Sequence, residues 1–154
     1  MQLTDILKPD CVKVPLDGAS KPEVIEELLA LLAAAGRLQE SYAAVRQAVF
    51  DREAIRSTGV GQGFALPHGK TPAITTMSLA IGRTAEPIGF DAIDGQPVSI
   101  VVLLVSPAQQ TGQHIQALAH ISRIMTDKGL RPRLWAASTA AALYKLLESY
   151  APGA

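Results

Sequence analysis

The sequence has few of the residues on which several classes of functional site depend. Its 154 residues include one cysteine, Cys11, so an internal disulfide is excluded and a cysteine-based metal site is implausible. Fourteen basic side chains balance fourteen acidic ones, and no Lys/Arg run occurs. The electrostatic surface that nucleic-acid binding requires is therefore missing. The longest apolar run, IVVLLV at 100–105, is too short to cross a bilayer, so we expect no nucleic-acid partner and no direct membrane insertion.

The N-terminal stretch MQLTDILKPD also lacks the charged segment and long apolar run of a secretory signal. A chain of this length normally forms one domain with a substantial core. We therefore predict a soluble, cytoplasmic, single-domain protein that occupies residues 1–150. The last four residues, APGA at 151–154, are predicted to form a frayed C-terminal tail.

Helical patterns occur towards both ends of the chain. The first predicted helix is capped by Ser20, with Glu23 in a capping box, and stops at Gly36. A second helix is predicted from about 41 to 55, with Val45 and Val49 on its apolar stripe. A third helix is predicted after SPAQQT, and a fourth within STAAALYKLLESY. In the third helix, the residues predicted to face the core are Ile115, Leu118, Ile121 or Ser122, and Met125.

The middle of the chain has the patterns of strands. GFAL, MSLAIG and VSIVVLLV are predicted strands, and the last is apolar on both faces, which is typical of a central strand in a covered sheet. The segment EPIGFDAIDGQP between the last two carries turn signals. The predicted fold class is therefore α/β, a small mixed β-sheet flanked by helices in a single domain.

The glycine-rich stretch GVGQGFALPHGK at 59–70 does not fit the common nucleotide-binding loops. Five residues separate Gly63 from Gly69, one more than a P-loop has between its first glycine and the Gly-Lys pair, and Pro67 has no N–H to offer a phosphate. The Rossmann spacing also fails, because Phe64 stands where its third glycine should be. Nucleotide binding by either route is not expected.

His68 is the unusual residue of this stretch. Pro67 favours an extended Leu66, so a strand is predicted to end there. Gly69 removes a side chain beside the imidazole and allows another surface to approach closely. The pattern places a histidine at a strand end with an open path to it, a location where rigid sheets often hold reacting groups. A turn histidine without a role is the alternative, and the spacing leaves it open.

Two further residues are in unexpected positions. Arg52 follows Val49 by three residues, in register with an apolar stripe, so it must extend to solvent or find an anionic partner. His114 falls in the first turn of a helix that Thr111 could cap, where free N–H groups favour a bound anion. Solvent exposure is the simpler interpretation of each residue taken alone.

The segments REAIRSTGVGQGFALPHGK and FDAIDGQPVSIVVLLVSPAQQTGQHIQAL together resemble the enzyme IIA domain of the phosphoenolpyruvate-dependent sugar phosphotransferase system. The branch is the fructose/mannitol type, which includes the nitrogen-regulatory enzyme IIA. The resemblance extends over nearly the whole chain, from LTDILKPDCVKV to ALYKLLES. It implies one type-2 enzyme IIA domain at residues 1–150, followed by the tail at 151–154.

The resemblance implies that His68 accepts a phosphoryl group, and that His114 and Arg52 line the same site. Residues Gln62 and Phe64 depart from the asparagine and isoleucine that are commoner in relatives, without affecting this chemistry. The implied donor is HPr or its nitrogen-branch paralogue. The implied recipient is an enzyme IIB or a regulatory target protein. No cofactor is implied, and the chain is a phosphotransfer component and not a free-standing enzyme.

Further expectations concern the surroundings of His68. The backbone N–H groups of Gly69 and Lys70 are candidate phosphate donors, with the charge of Lys70 adding to the site. Candidates for an apolar docking rim are Phe64, Leu66 and Phe90, although each is equally compatible with the core. Two alternatives stay open: a non-catalytic regulatory module that controls a kinase or transporter through the same surface, and a metal site at His68 and His114, for which no third ligand is evident.

Overall fold

The computed structural model describes residues 2–150, so the tail predicted at 151–154 lies outside the described residues. A short 3-10 helix, Leu3–Asp5, precedes the first strand. The strands are β1 (Leu7–Leu16), β2 (Gly59–Gly61), β3 (Phe64–Ala65), β4 (His68–Thr71), β5 (Ser78–Ile88) and β6 (Val98–Pro107). The helices are α1 (Lys21–Ala34), α2 (Tyr42–Ile55), α3 (Thr111–Met125), α4 (Arg131–Ala136) and α5 (Ala140–Glu148).

All six strands form one mixed sheet in the order β1-β5-β6-β3-β2, and β4 also pairs with β6. Strand β6 runs antiparallel to β5 but parallel to β3 and β4, which follow one another along the same side of it. Strands β1 and β5 are parallel, and β2 and β3 are antiparallel. Helices α1, α2, α3 and α5 pack against this sheet. The predicted α/β class, a small mixed sheet flanked by helices, is confirmed.

Strand β6 is central, as its two-sided apolar pattern predicted. Nine of its ten residues are buried, and only Ser99 is partly exposed. Because side chains alternate between the two faces of a strand, burial along the whole strand requires cover on both faces. The strand therefore gives the neighbouring β4 a rigid support.

The helices largely follow their sequence signals. Ser20 caps α1 by accepting a hydrogen bond from the Glu23 amide at 3.4 Å. In α3, the prediction that Ile115 faces the core is wrong, since 61% of it is exposed. The helix turns His114 inward instead, and Ile115, about 100° further round the helix axis, points away. None of the helices within residues 2–150 has the length and apolar character needed to span a membrane.

The glycine-rich stretch forms a hairpin between β2 and β3. Gly61 pairs with Phe64, so Gln62 and Gly63 form a two-residue turn, with φ of 58° and 81°. Positive φ at both central residues is the requirement of a type I′ hairpin turn, which glycine meets without strain. The Asp94 carboxylate accepts a hydrogen bond from the Gln62 amide at 3.0 Å. Gly61 and Gly63 therefore allow the backbone conformation of a hairpin.

Candidate functional site

His68 is the first residue of β4 and is half-buried. Its Nδ1 lies 2.7 Å from the carbonyl oxygen of Leu66. Because a carbonyl oxygen can only accept, Nδ1 carries the proton and Nε2 holds the free lone pair. The prediction that a strand ends at Leu66 needs one correction, because pairing with β6 does not stop there. The Pro67 carbonyl still accepts a hydrogen bond from the Leu104 amide at 3.1 Å, so pairing with β6 continues and His68 begins a new strand.

His114 lies beside His68, with the two ring centroids 5.4 Å apart and the rings tilted by 54°. It is only 4% exposed, so the simpler interpretation of a solvent-exposed first-turn residue is wrong. Its Nδ1 is 2.7 Å from the hydroxyl of Ser106, a fully buried residue near the end of β6. Thr111 does not cap α3, because its hydroxyl donates to the Ala108 carbonyl at 3.3 Å and the N-cap residue is Gln110.

The two imidazoles share an environment that favours their neutral forms. Burial lowers the pKa of His114 to about 4, helped by the charge that His68 carries when it is protonated and by the charge of Lys70. Burial also lowers the pKa of His68, and the charges of Arg52 and Lys70 act in the same direction. The Leu66 carbonyl and the Glu53 carboxylate oppose that shift. Near neutral pH both rings are therefore uncharged, which leaves Nε2 of His68 nucleophilic.

Arg52 lies one turn from the end of α2 and is half-buried. Its Nη1 donates to the Arg56 carbonyl at 2.8 Å. Among residues 2–150, no carboxylate lies within ion-pairing distance of its guanidinium. A guanidinium has five N–H donors, so one bond to a carbonyl leaves capacity for an anion. Its positive charge acts on His68 by lowering the pKa of that imidazole.

Gly69 brings α2 close to β4. A Cβ at this position would lie 2.9 Å from the Val49 amide nitrogen, a contact that real Cβ atoms do not make. The expectation that Gly69 allows a close approach is therefore confirmed, and the approaching surface is helix backbone. Because side chains alternate along a strand, α2 packs on the β4 face opposite to His68. Arg52 therefore belongs to a helix on the other side of this strand from His114.

Lys70 follows on the same face of β4 as His68, and its Nζ lies 3.4 Å from the Thr111 hydroxyl. The backbone amides of β6 donate hydrogen bonds to the Pro67 and Thr71 carbonyls. In a parallel pair of strands, the backbone groups of successive residues point alternately towards the partner strand and away from it. The Gly69 amide therefore points towards β6, and the Lys70 amide points to the opposite side. Of the two candidate amides, the Lys70 amide is the one that does not point at β6.

The predicted docking rim is wrong. Phe64, Leu66 and Phe90 are 2%, 4% and 1% exposed, so all three belong to the core. They are large apolar side chains that the sheet and helices cover. Among the described residues, the exposed large hydrophobic side chains are Ile55, Val60, Ile93 and Ile115. Ile55 follows Arg52 by three residues and Ile115 follows His114 directly.

Sequence reasoning missed two residues that act on this group, Ser106 through a hydrogen bond to His114 and Glu53 through its charge on His68. Ser106 is one, and its position at the end of an apolar strand gave no indication of a histidine partner. Glu53 is the other, a buried acid at the next helical position after Val45 and Val49, where spacing alone could have drawn attention to it. Within the described chain, no cluster of three His, Cys, Asp or Glu residues has the arrangement of a metal site. The group therefore consists of a nucleophilic imidazole, a neutral imidazole and two cationic side chains.

Comparisons with known proteins identify the family of the chain. Residues 5–150 match the family described as "Phosphoenolpyruvate-dependent sugar phosphotransferase system, EIIA 2". A nitrogen regulatory protein of Bradyrhizobium diazoefficiens is 35% identical over 147 residues, covering 96% of this chain and 95% of that protein. The fructose-specific EIIABC component of Bacillus subtilis is 28% identical over 150 residues, covering 97% of this chain. The matched region is only 24% of that longer protein.

Solved structures show the same fold. The nitrogen regulatory protein IIA-Ntr from Neisseria meningitidis superposes with a TM-score of 0.85 at 34% identity, covering 94% of this chain and 98% of that one. Enzyme IIA mannitol from Escherichia coli, in complex with phosphorylated enzyme IIB, gives 0.78 at 19% identity, covering 94% and 100%. The second likeness concerns the fold alone. Because the family match extends from the 3-10 helix to the end of the described chain, this protein belongs to the type-2 enzyme IIA family of the phosphoenolpyruvate-dependent sugar phosphotransferase system.

Proposed function

We propose that the protein is a phosphoryl carrier that accepts a phosphoryl group on Nε2 of His68. One observation carries this proposal: the Nδ1 proton is held by the Leu66 carbonyl at 2.7 Å, so Nε2 presents its lone pair beside His114. A fixed tautomer removes the need to shift a proton before attack. The proposal applies to a single domain at residues 1–150 and involves no cofactor.

The reaction is an exchange of one P–N bond for another. The Nε2 lone pair of His68 attacks the phosphorus of a donor phosphohistidine. The donor P–N bond breaks, and its electron pair returns to the donor nitrogen. His68 becomes a phosphorylated imidazolium, and the Leu66 carbonyl stabilises the positive ring by accepting from Nδ1–H. The transition state of such a transfer is loose, so positioning and charge stabilisation are the protein's main contributions.

The neighbouring groups supply that stabilisation. The free N–H donors of Arg52 bind phosphoryl oxygens, and its planar fork can hold two of them. The Ser106 hydroxyl has His114 Nδ1 as its partner. In this proposal the hydroxyl donates to Nδ1, so His114 Nε2 carries a proton and donates it in a hydrogen bond to the phosphoryl group. The Lys70 side chain adds positive charge, and its amide is a further donor.

The proposed donor is HPr or its nitrogen-branch paralogue, phosphorylated on histidine. Docking requires exposed apolar surface near the reacting ring. The exposed side chains of Ile55 and Ile115 flank Arg52 and His114 in sequence, and we assign them to the docking surface in place of the three buried residues. Because such a donor would itself receive its phosphoryl group from phosphoenolpyruvate, the proposal includes a cytoplasmic location.

The phosphoryl group then passes to an enzyme IIB, or the phosphorylation state itself controls a regulatory target. Structural likeness supports the regulatory role. The nitrogen regulatory protein IIA-Ntr superposes on this chain with a TM-score of 0.85 at 34% identity. Transfer to an enzyme IIB is the alternative outcome for the phosphorylated carrier.

Reconstitution tests the proposal. The protein is incubated with phosphoenolpyruvate, enzyme I and HPr, and its intact mass is measured before and after brief acid treatment. We expect the gain of one acid-labile phosphoryl group in the wild type and none in His68→Ala. A phosphoryl group that persists in His68→Ala contradicts the assignment. No gain in the wild type, together with equal binding of a regulatory target by both variants, favours the non-catalytic module.

A further inference from the structure

Glu53 is a carboxylate in a position that the packing of α2 would give to an apolar side chain. It continues the buried stripe of Val45 and Val49 and is only 7% exposed. Burying a carboxylate is unfavourable unless donors surround it. Three donors do so here: the Thr58 amide at 3.0 Å, the Thr58 hydroxyl, and Lys21 Nζ at 2.7 Å.

Two of these bonds fix the loop that follows α2. Thr58 lies between the helix and β2, and both its amide and its hydroxyl donate to Glu53. The neighbouring Ser57 hydroxyl donates to the Phe90 carbonyl at 2.6 Å. The loop from 56 to 58 is thus held from two sides. Its first residue, Arg56, provides the carbonyl that accepts from Arg52 Nη1 at 2.8 Å.

Lys21 keeps the Glu53 carboxylate from competing for Arg52. Lys21 Nζ pairs with Glu53 and lies 5.0 Å from the centre of the Phe90 ring. With its charge compensated inside the protein, Glu53 makes no ion pair with the adjacent arginine. The guanidinium is therefore held by a neutral carbonyl and keeps its remaining donors for an anion.

We infer that Glu53 and Thr58 are positioning residues: through the 56–58 loop they place the Arg56 carbonyl, and this carbonyl aims the Arg52 guanidinium at the phosphoryl group on His68. This inference rests on the proposed function. Buried ion pairs add little net stability compared with apolar residues of similar volume. A positioning role explains why an acid and its donors occupy this part of the core.

Thr58→Val is the sharpest single variant, because it keeps the side-chain shape and the amide but removes the hydroxyl. Thr84→Val is its matched control. Thr84 is also buried, at 2% exposed, and its hydroxyl donates to the Ser99 carbonyl at 3.3 Å. The rate of phosphorylation is measured with phosphorylated HPr and with phosphoramidate, a small donor that needs no docking surface.

We expect Thr58→Val to slow phosphorylation by roughly tenfold with both donors, the equivalent of one lost hydrogen bond. Thr84→Val should lower the melting temperature by a similar amount but keep the phosphorylation rate within about twofold of the wild type. Thr58→Ser, which keeps the hydroxyl, should have the wild-type rate. If Thr58→Val does not fold, Glu53→Gln takes its place and should slow the rate in the same way. Equal rates for Thr58→Val and Thr84→Val would overturn the inference.

A double-mutant cycle separates positioning from a general loss of structure. In the Arg52→Gln background, Thr58→Val should cause no further slowing, because the group it positions is gone. Slowing by the same factor in both backgrounds contradicts the inference while leaving the proposed function intact. If the wild type accepts no phosphoryl group from either donor, the proposed function itself fails.

Discussion

His68 and His114 have rings 5.4 Å apart but occupy different surroundings. His68 stands half-buried at the start of β4, and its Nδ1 is bound by a backbone carbonyl, which can only accept. His114 is almost fully buried at the start of α3, and its Nδ1 meets a hydroxyl, which can also donate. In our proposal, Nε2 of His68 on the sheet therefore presents a lone pair, whereas Nε2 of His114 on the helix presents an N–H. The difference shows how the hydrogen-bond partner of Nδ1 distinguishes a nucleophilic imidazole from a donor.

The largest expected effect comes from removing each imidazole in turn. His68→Ala should abolish phosphorylation, because the nucleophile is lost. His114→Ala should still accept a phosphoryl group, but roughly 100-fold more slowly, as when one preorganised donor to a developing anion is removed. Rates are measured by quenched-flow sampling and intact mass. Equal and complete loss in two folded variants would mean that the two rings do not have separate roles.

Arg52→Gln tests which ring the guanidinium serves. It should slow transfer by about 100-fold and raise the pKa of His68, because the positive charge that lowers this pKa is gone. The pKa of His114 should change little, since the charges that act on it come from His68 and Lys70. Both values come from NMR titration of the ring protons. A variant that melts far below the wild type would instead identify Arg52 as a structural residue.

Stability against pH should distinguish the buried ring. His114 titrates at about 4 in the folded protein and near 6.5 when unfolded. A depressed folded pKa means that the stability is fully present above about 6.5 and is lost as the pH falls towards 4. The loss should be on the order of 2–3 kcal/mol, and His114→Gln should remove most of it. Urea unfolding at several pH values measures this slope.

His120 supplies the control for that measurement. It lies on the same helix, and burial lowers its pKa as well, but it is only partly buried. His120→Gln should therefore retain most of the wild-type slope. If it flattens the curve as much as His114→Gln does, the slope does not come from the ring beside His68.

Ser106→Ala should give the smallest effect. It leaves Nδ1 of a buried imidazole without its partner, which destabilises the protein by about 1–3 kcal/mol. Transfer should slow by roughly tenfold, because His114 loses its fixed tautomer while the nucleophile is unchanged. Ser78→Ala, at a similarly buried position in β5, should match neither effect. A rate unchanged in Ser106→Ala would show that this hydroxyl does not control the donor.

Much of the fold was predictable because its signals are local. Ser20 caps α1, and the two-sided apolar pattern of β6 follows from burial on both faces. Strand β4 was not predictable from local pattern: HGKT has no strand signal, and it is extended because it pairs in parallel with β6. In α3 only the start was predicted wrongly: Ile121 and Met125 are buried as predicted, but His114 and not Ile115 faces inward. The partner of His114 is Ser106, eight residues away, which no local pattern reveals.

The candidate site followed the same division. His68 was conspicuous because Pro67 and Gly69 flank it, and Arg52 because a cation follows an apolar stripe. The partners of these groups were not visible in sequence, because they depend on which strands and loops lie side by side. The Leu66 carbonyl, Ser106 and Glu53 are all of this kind. The burial of Phe64 was not visible in the sequence either, because it also depends on which elements pack together.

The most direct test is to determine which nitrogen carries the phosphoryl group. The protein is labelled with ¹⁵N in its histidine rings, phosphorylated by HPr, and studied by ¹⁵N and ³¹P NMR. The account predicts a phosphoryl group on Nε2 of His68, with Nδ1 still protonated and His114 unmodified. A phosphoryl group on Nδ1 of His68, or on either nitrogen of His114, would contradict it.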